Sequence, residues 1–324
     1  MDVQGILITA LVTAILVLAC AARAQQSTGE GHSTAHAAAT VADWAHARND
    51  SARAFSAAME GRKAETLAAV QSVVLTVPLD SALATGSGWN LTQQYAALVR
   101  FGLWDELLAL RAPDPRASGL TAGYLYGRGV ALAARGRLGE ARTILGELQR
   151  LGAAAAPDAR AGTNTLRDIV AVAAPVVAAR IAATEQRADE AIALLTQAVA
   201  AEDRLAYDQP ADWFFPVRHL LGAQLLQAGR AAQAERVYRA DLQRNPANGW
   251  SLYGLAAALT AQRRGVAAAR AARKFDSAWE HADVRLATSA FWFSGPDTTS
   301  CECQRESSGD VTAPAAPAPA RRHP

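Results

Sequence analysis

Six histidines and three cysteines are the residues of this chain best suited to metal or nucleophilic chemistry. His32 and His36 stand four apart, a spacing that puts two ligands on one helix face, and His46 could add a third. They sit among Ser, Thr, Gly and Ala, which reads as a solvated segment; a weak metal site is the alternative. Cys301 and Cys303 are separated by one residue and lack the further soft ligands that zinc requires. In an oxidising compartment they would form a strained or intermolecular disulfide, or stay inert. Cys20 follows Val17-Leu18-Ala19, a loose lipidation box. The chain has no His-Glu-x-x-His, no phosphate-binding loop and no Gly-x-Ser-x-Gly. Gly127-Arg128-Gly129 begins a Gly-x-Gly but lies in helical text rather than after a strand. No catalytic residue, metal site or cofactor is therefore expected.

The elements that must position any site are helices. Ala fills 78 of 324 positions, and aromatics make up only 6%; Ala loses no side-chain entropy in a helix. Thirty-two basic residues against 30 acidic give a net charge of +2, which argues against a nucleic-acid partner. Residues 6–22 are a nearly unbroken apolar run. Three readings fit it: an export signal cleaved after Ala24, a lipoprotein signal acylated at Cys20, or an uncleaved anchor with membrane association through the N-terminus. No Lys or Arg precedes the run. Cleavage, supported by Ala22-Arg23-Ala24, is favoured, and it puts the body of the protein in the periplasm or cell envelope. The expected organisation is a signal or anchor at 1–24, a low-complexity linker at 25–40, a helical domain at 41–293 and a Pro/Ala-rich tail at 294–324.

A repeat organises that domain. From Phe215 to Asn248 the chain places Leu221, Gly222, Leu225, Gly229, Ala234, Tyr238 and Pro246 at positions 7, 8, 11, 15, 20, 24 and 32. Small residues at 8 and 20 let two helices approach, and large ones at 7, 11 and 24 fill the seam. Gly at 15 ends the first helix in a left-handed conformation, and Pro at 32 stops the second. Further frames start at Ala47, Gly88, Ala122, Val172 and Gly249, so that successive starts lie 41, 34, 50, 43 and 34 residues apart. Gly129, Ala141, Ala191 and Ala268 take packing slots in these frames, and the frame at Val172 lacks the Gly at position 15. Loops at 85–88, 112–115, 157–164 and 207–212 absorb the longer intervals. An amphipathic helix from Phe275 to Phe293 is expected to cap the array.

This pattern resembles the tetratricopeptide repeat, a helix–turn–helix of about 34 residues. The resemblance implies an all-α superhelix of about six units. Asp208-Gln209-Pro210-Ala211-Asp212-Trp213-Phe214-Phe215-Pro216-Val217-Arg218-His219, Tyr238-Arg239-Ala240-Asp241-Leu242, Asn245-Pro246-Ala247-Asn248-Gly249-Trp250 and Met59-Glu60-Gly61-Arg62 are similar to the C-terminal part of a group of longer, uncharacterised bacterial proteins with this repeat, over residues 47–292. Those proteins carry histidines before the Met-Glu-Gly-Arg segment, whereas Asn49-Asp50-Ser51-Ala52-Arg53 here has none. The resemblance thus implies a scaffold rather than a reaction; the alternative is a degenerate metal-binding or enzyme-associated module that kept only its repeat half. In the family, the first helix of each unit lines a concave groove. The lining positions here hold Trp89, Arg100, Tyr126, Arg180, Pro216, His219, Gln227, Trp250 and Tyr253. Such a groove is aromatic with a few polar points and lacks the Lys and Asn of carboxylate clamps. It is expected to hold an extended or helical peptide by apolar contacts, or a small ligand. Trp213, Phe214 and Phe215 read as a core anchor, and the cations at 263–274 as a solvated helix face.

Overall fold

A computed structural model describes residues 39–85 and 87–292. Cys20, His32, His36, Cys301, Cys303, the apolar run and the tail lie outside the described residues. The described residues form an all-α protein whose helices pack in sequential pairs. Six pairs are joined by short turns: α1 (Val41–Met59) with α2 (Lys63–Thr76), α4 (Gln93–Arg100) with α5 (Trp104–Ala109), α6 (Ser118–Ala134) with α7 (Leu138–Ala154), α8 (Leu166–Thr184) with α9 (Ala188–Glu202), α10 (Val217–Gln227) with α11 (Ala231–Arg244), and α12 (Gly249–Ala261) with α13 (Gly265–Ala278). A short α3 (Leu79–Thr85) and a 3-10 turn (Ser87–Thr92) precede α4, and a two-residue antiparallel ladder pairs Arg160–Ala161 with Asn164–Thr165. No helix among the described residues is long and apolar enough to cross a membrane.

The turns share one backbone device. Gly61, Gly102, Gly136 and Gly229 have φ near +70°, and Gln186 and Arg263 adopt φ of 62° and 58° at the equivalent turns. The left-handed conformation therefore occurs at position 15 of all six sequence frames, including the two without Gly. Two helix starts carry reciprocal caps: Thr40 with Asp43 on α1, and Thr165 with Asp168 on α8. Pro216 is the N-cap of α10, immediately before its first turn.

Close helix approach falls where small residues were expected. Ala141, Ala191 and Ala234 are fully enclosed and Ala268 nearly so. The ring of buried Tyr238 lies so close to Gly222 and Gly254 that a Cβ on either would overlap it. Gly129 meets Val177 in the same way, Leu221 is buried, and Pro246 follows the end of α11.

The expected closing helix from Phe275 to Phe293 is not formed. α13 ends at Ala278, and 279–292 run as turns and bends. Tertiary contacts outweigh the amphipathic pattern here. The Trp279 ring wedges against the backbone of Gly61 and Gly249, and its indole N–H donates to Val284 O at 2.9 Å. Asp283 then accepts from the backbone N–H groups of Lys63 and Ala64 at 2.5 and 2.8 Å. Arg62, the N-cap of α2, makes no side-chain cap of its own, so this helix start is capped by a residue 220 positions away.

Candidate functional site

Chain-spanning contacts converge on one buried polar centre. His219 on α10 is 0% exposed. Arg100, the last residue of α4, donates from Nη1 to His219 Nδ1 at 2.8 Å. Guanidinium nitrogens only donate, so Nδ1 must accept. The proton then sits on Nε2, which donates to Asp241 Oδ2 at 3.0 Å. Asp241, 1% exposed on α11, also accepts from Asn248 Nδ2 at 2.7 Å, Ser251 Oγ at 2.6 Å and Asn245 Nδ2 at 3.2 Å. Arg100 stacks on Trp250 at 3.8 Å and faces Phe215 at 4.9 Å, while its Nε and Nη2 have no hydrogen-bond partner among the described residues. One buried cation and one buried anion are thus bridged by a neutral imidazole.

The protonation states follow from burial. Loss of water lowers the Arg100 guanidinium to about 9, with Asp241 opposing the shift. Burial pushes His219 below its usual value, again against Asp241 and with Arg100 reinforcing it. Burial alone would raise Asp241; His219, Ser251 and Asn245 reverse this and hold it at about 2.

Over this centre lies a cavity of about 770 Å³ roofed by residues 205–213. Its walls include Phe55, Glu202, Asp203, Tyr207, Asp208, Asp212, Trp213, Arg218, Asp241 and Arg244. The roof is pinned by polar contacts: Asp212 accepts from Thr163 N at 2.8 Å and Asn164 Nδ2 at 2.7 Å, Asn164 Oδ1 accepts from Ala206 N at 2.8 Å, and Trp89 Nε1 donates to Asp212 O at 2.8 Å. Glu202 is pushed up to about 8 by burial, opposed by Arg218 and the Val217 N–H, with Asp241 and Asp203 adding to the rise.

The groove candidates have a different setting from the expected one. Trp89, Arg100, Arg180, His219 and Trp250 are all buried by other parts of the same chain. Tyr126 is half-buried, edge-on to Trp213 with centroids 5.0 Å apart. The Trp250 indole N–H donates to Ala58 O at 2.8 Å, tying α12 to α1. Arg180 lies over Trp292 at 5.3 Å with no ion pair among the described residues; burial lowers it to about 10. Tyr253 is half-buried and donates to Ala287 O at 3.1 Å. Of these candidates only Gln227 is exposed. The row expected to face a peptide is therefore covered, because residues 203–216 and 279–292 fold against it. Arg100, His219 and Trp250 are brought together; Arg180, Gln227 and Tyr253 stand outside that cluster.

Trp213 and Phe214 are buried, and Phe214 meets Phe55 edge-on at 5.7 Å. Arg270, Arg273 and Lys274 are exposed on α13. No group of three His, Cys, Asp or Glu able to hold a metal ion exists among the described residues. His46 instead pairs with Asp50 at 3.2 Å.

Asp241, Glu202, Asn248 and Ser251 were not singled out as site residues by sequence. One signal was available. Asp241 follows Tyr238 by three, which places an acid on the buried face of its helix. Glu202 carried none, since its environment is made by Arg218 and the roof.

No protein family, curated protein or solved structure matches the chain.

Proposed function

We propose that this chain is a non-catalytic repeat protein of the tetratricopeptide type that binds a segment of another protein, and that the binding surface is the cavity beneath residues 205–213. The recurrence of left-handed turns at position 15 of every frame supports the repeat assignment. The chain departs from an ideal array, in which each repeat touches only its neighbours, because the first and last pairs are tied together. The observation that carries the binding reading is the open cavity of about 770 Å³, with half of its wall supplied by an inserted loop. Loops held on a rigid scaffold are where binding residues concentrate. Export to the periplasm or envelope, with cleavage leaving Gln25 first, belongs to the same proposal; the intact mass of protein recovered from cells tests it.

Selection from a random peptide library tests the binding surface. Ala52 is exposed at the cavity wall, so Ala52→Trp obstructs the cavity without disturbing the core. Peptides recovered by the wild type and lost with Ala52→Trp are expected; identical sets from both would place binding elsewhere.

A second reading is favoured by one observation: Glu202, on the cavity wall, holds its proton near neutral pH. Groups so tuned serve as general acids or bases. Turnover of a cavity ligand that Glu202→Gln abolishes while binding persists would establish it.

A further inference from the structure

The charges around the cavity do not balance. Glu202 ends α9 and Asp203 is its C-cap, Asp208 and Asp212 come from the roof, and Asp241 from α11; the cations are Arg218 from α10 and Arg244 from α11. The α1 wall adds only Ala52, Phe55 and Ser56. Both guanidiniums pair with Asp203, at 2.6 Å from Arg218 and 2.5 Å from Arg244, and Arg218 also reaches Glu202 at 4.0 Å, so two cations stand against five carboxylates. Asp241 is matched from below by His219 and Arg100. Among the described residues Asp208 and Asp212 accept from neutral donors alone: Thr163 Oγ1 at 2.7 Å and Gln209 N at 2.8 Å for Asp208, and Thr163 and Asn164 for Asp212. Such donors orient a carboxylate without cancelling its charge. Glu202 Oε2 accepts from Val217 N at 3.1 Å and stands 4.0 Å from Arg218, while Oε1 has no hydrogen-bond partner among the described residues.

The surplus is visible in two carboxylates. Burial raises both Glu202 and Asp212, and in each case neighbouring acids add to the rise: Asp241 and Asp203 for the first, Asp208 for the second. The carboxylates are not grouped to hold a metal ion among the described residues. The space is far larger than a metal ion needs and has aromatic walls at Phe55 and Trp213. Tyr207, 81% exposed, lines it as well and meets no other ring among the described residues. Carboxylate and aromatic faces together suit a weakly hydrated organic cation on an apolar stem.

We infer that the cavity receives the ammonium or guanidinium end of a lysine or arginine side chain from the bound segment, seated against Glu202 and stacked on the aromatic walls. This rests on the cavity being the binding surface. The incoming charge replaces the proton on Glu202, so binding near pH 7 releases a proton; the bond broken is Glu202 O–H, and the proton leaves to buffer.

The test is calorimetric titration of the purified full chain with the capped tripeptides Ac-Ala-Lys-Ala-NH2, Ac-Ala-Arg-Ala-NH2, Ac-Ala-Nle-Ala-NH2 and Ac-Ala-Glu-Ala-NH2, and with spermidine. Buffers of different ionisation enthalpy report the protons released. The Lys and Arg peptides are expected to bind at least tenfold tighter than the norleucine peptide, which keeps the lysine stem and lacks its ammonium, with proton release at pH 7. Glu202→Gln should remove both the preference and the release while melting as a folded protein. Asp208→Asn, a change on the roof surface, should weaken the preference several-fold. Equal binding of norleucine, or an unchanged Glu202→Gln, overturns the inference. Binding of the Glu or norleucine peptide that Ala52→Trp blocks keeps the cavity as the binding surface and overturns only its charge preference. Spermidine binding with none by any peptide overturns both the peptide source and the proposed function.

Discussion

Asp241 is the residue on which the buried centre turns, since it is the anion facing Arg100 through His219. Removing one partner of a buried pair leaves the other uncompensated, which destabilises by roughly 3–5 kcal/mol. Asp241→Asn is expected to fall in that range by denaturant unfolding; a loss under 1 kcal/mol would mean that Arg100 is satisfied by its aromatic stack alone. Glu202 gives a pH signature of opposite sense to that of an ordinary paired carboxylate. Its folded value is about 8 against an ordinary 4.5. Between these the folded state binds more protons than the unfolded, so stability falls as pH rises through the window. Glu202→Gln cannot lose that proton. Relative to wild type, it should therefore gain stability between pH 5 and pH 8.5, as read from unfolding midpoints. Asp241 acts in the other sense. Held at about 2 against an ordinary 3.8, it contributes stability that is present above about pH 4 and lost as pH falls towards 2. A constant difference between wild type and Glu202→Gln across the range would show that Glu202 is charged throughout.

At the scale of elements, each pair depends on a small residue where its helices touch. Ala234 is fully enclosed on α11, one slot in the same register as Ala141 and Ala191. Ala234→Leu should destabilise by overpacking, about 1–3 kcal/mol, and a change near zero would unseat the register. The turn register was legible in sequence because glycine marks left-handed backbone at four of the six turns. Gln186 and Arg263 were not legible as such, since nothing in those residue types announces a positive φ; only the phase of the frame did. The helix expected over 275–293 shows the opposite failure. Its apolar residues do reach the core, but as a strap of turns: Phe291 lies edge-on to Trp250 with centroids 5.6 Å apart. Periodicity reports which residues want burial, and it does not report which neighbour will bury them.

At the scale of the whole described domain, remote pairs are coupled. Asp283 caps α2, and Trp250 bonds to the end of α1. In an array held only by neighbour contacts, a change after the last helix would leave the first pair untouched. Here Asp283→Ala should cost about 1 kcal/mol, the usual worth of a lost cap, and should speed hydrogen exchange at the amides of Lys63 and Ala64 selectively. Unchanged exchange in α2 would show that the tie contributes nothing in solution.

The sequence alone determined the helical class, the pairing of helices, the phase of their turns and the small residues between them. These follow from local propensity and from spacing within about 40 residues, information carried by the chain itself. Tertiary structure decided that Arg100, His219 and Asp241 form one buried centre, that the row from Trp89 to Trp250 is covered, and that the open space lies beside Glu202. Those outcomes depend on which distant segments displace water from which side chain. Burial and the sign of a neighbour's charge, acting across gaps of more than 100 residues, are not written in the spacing of any one repeat.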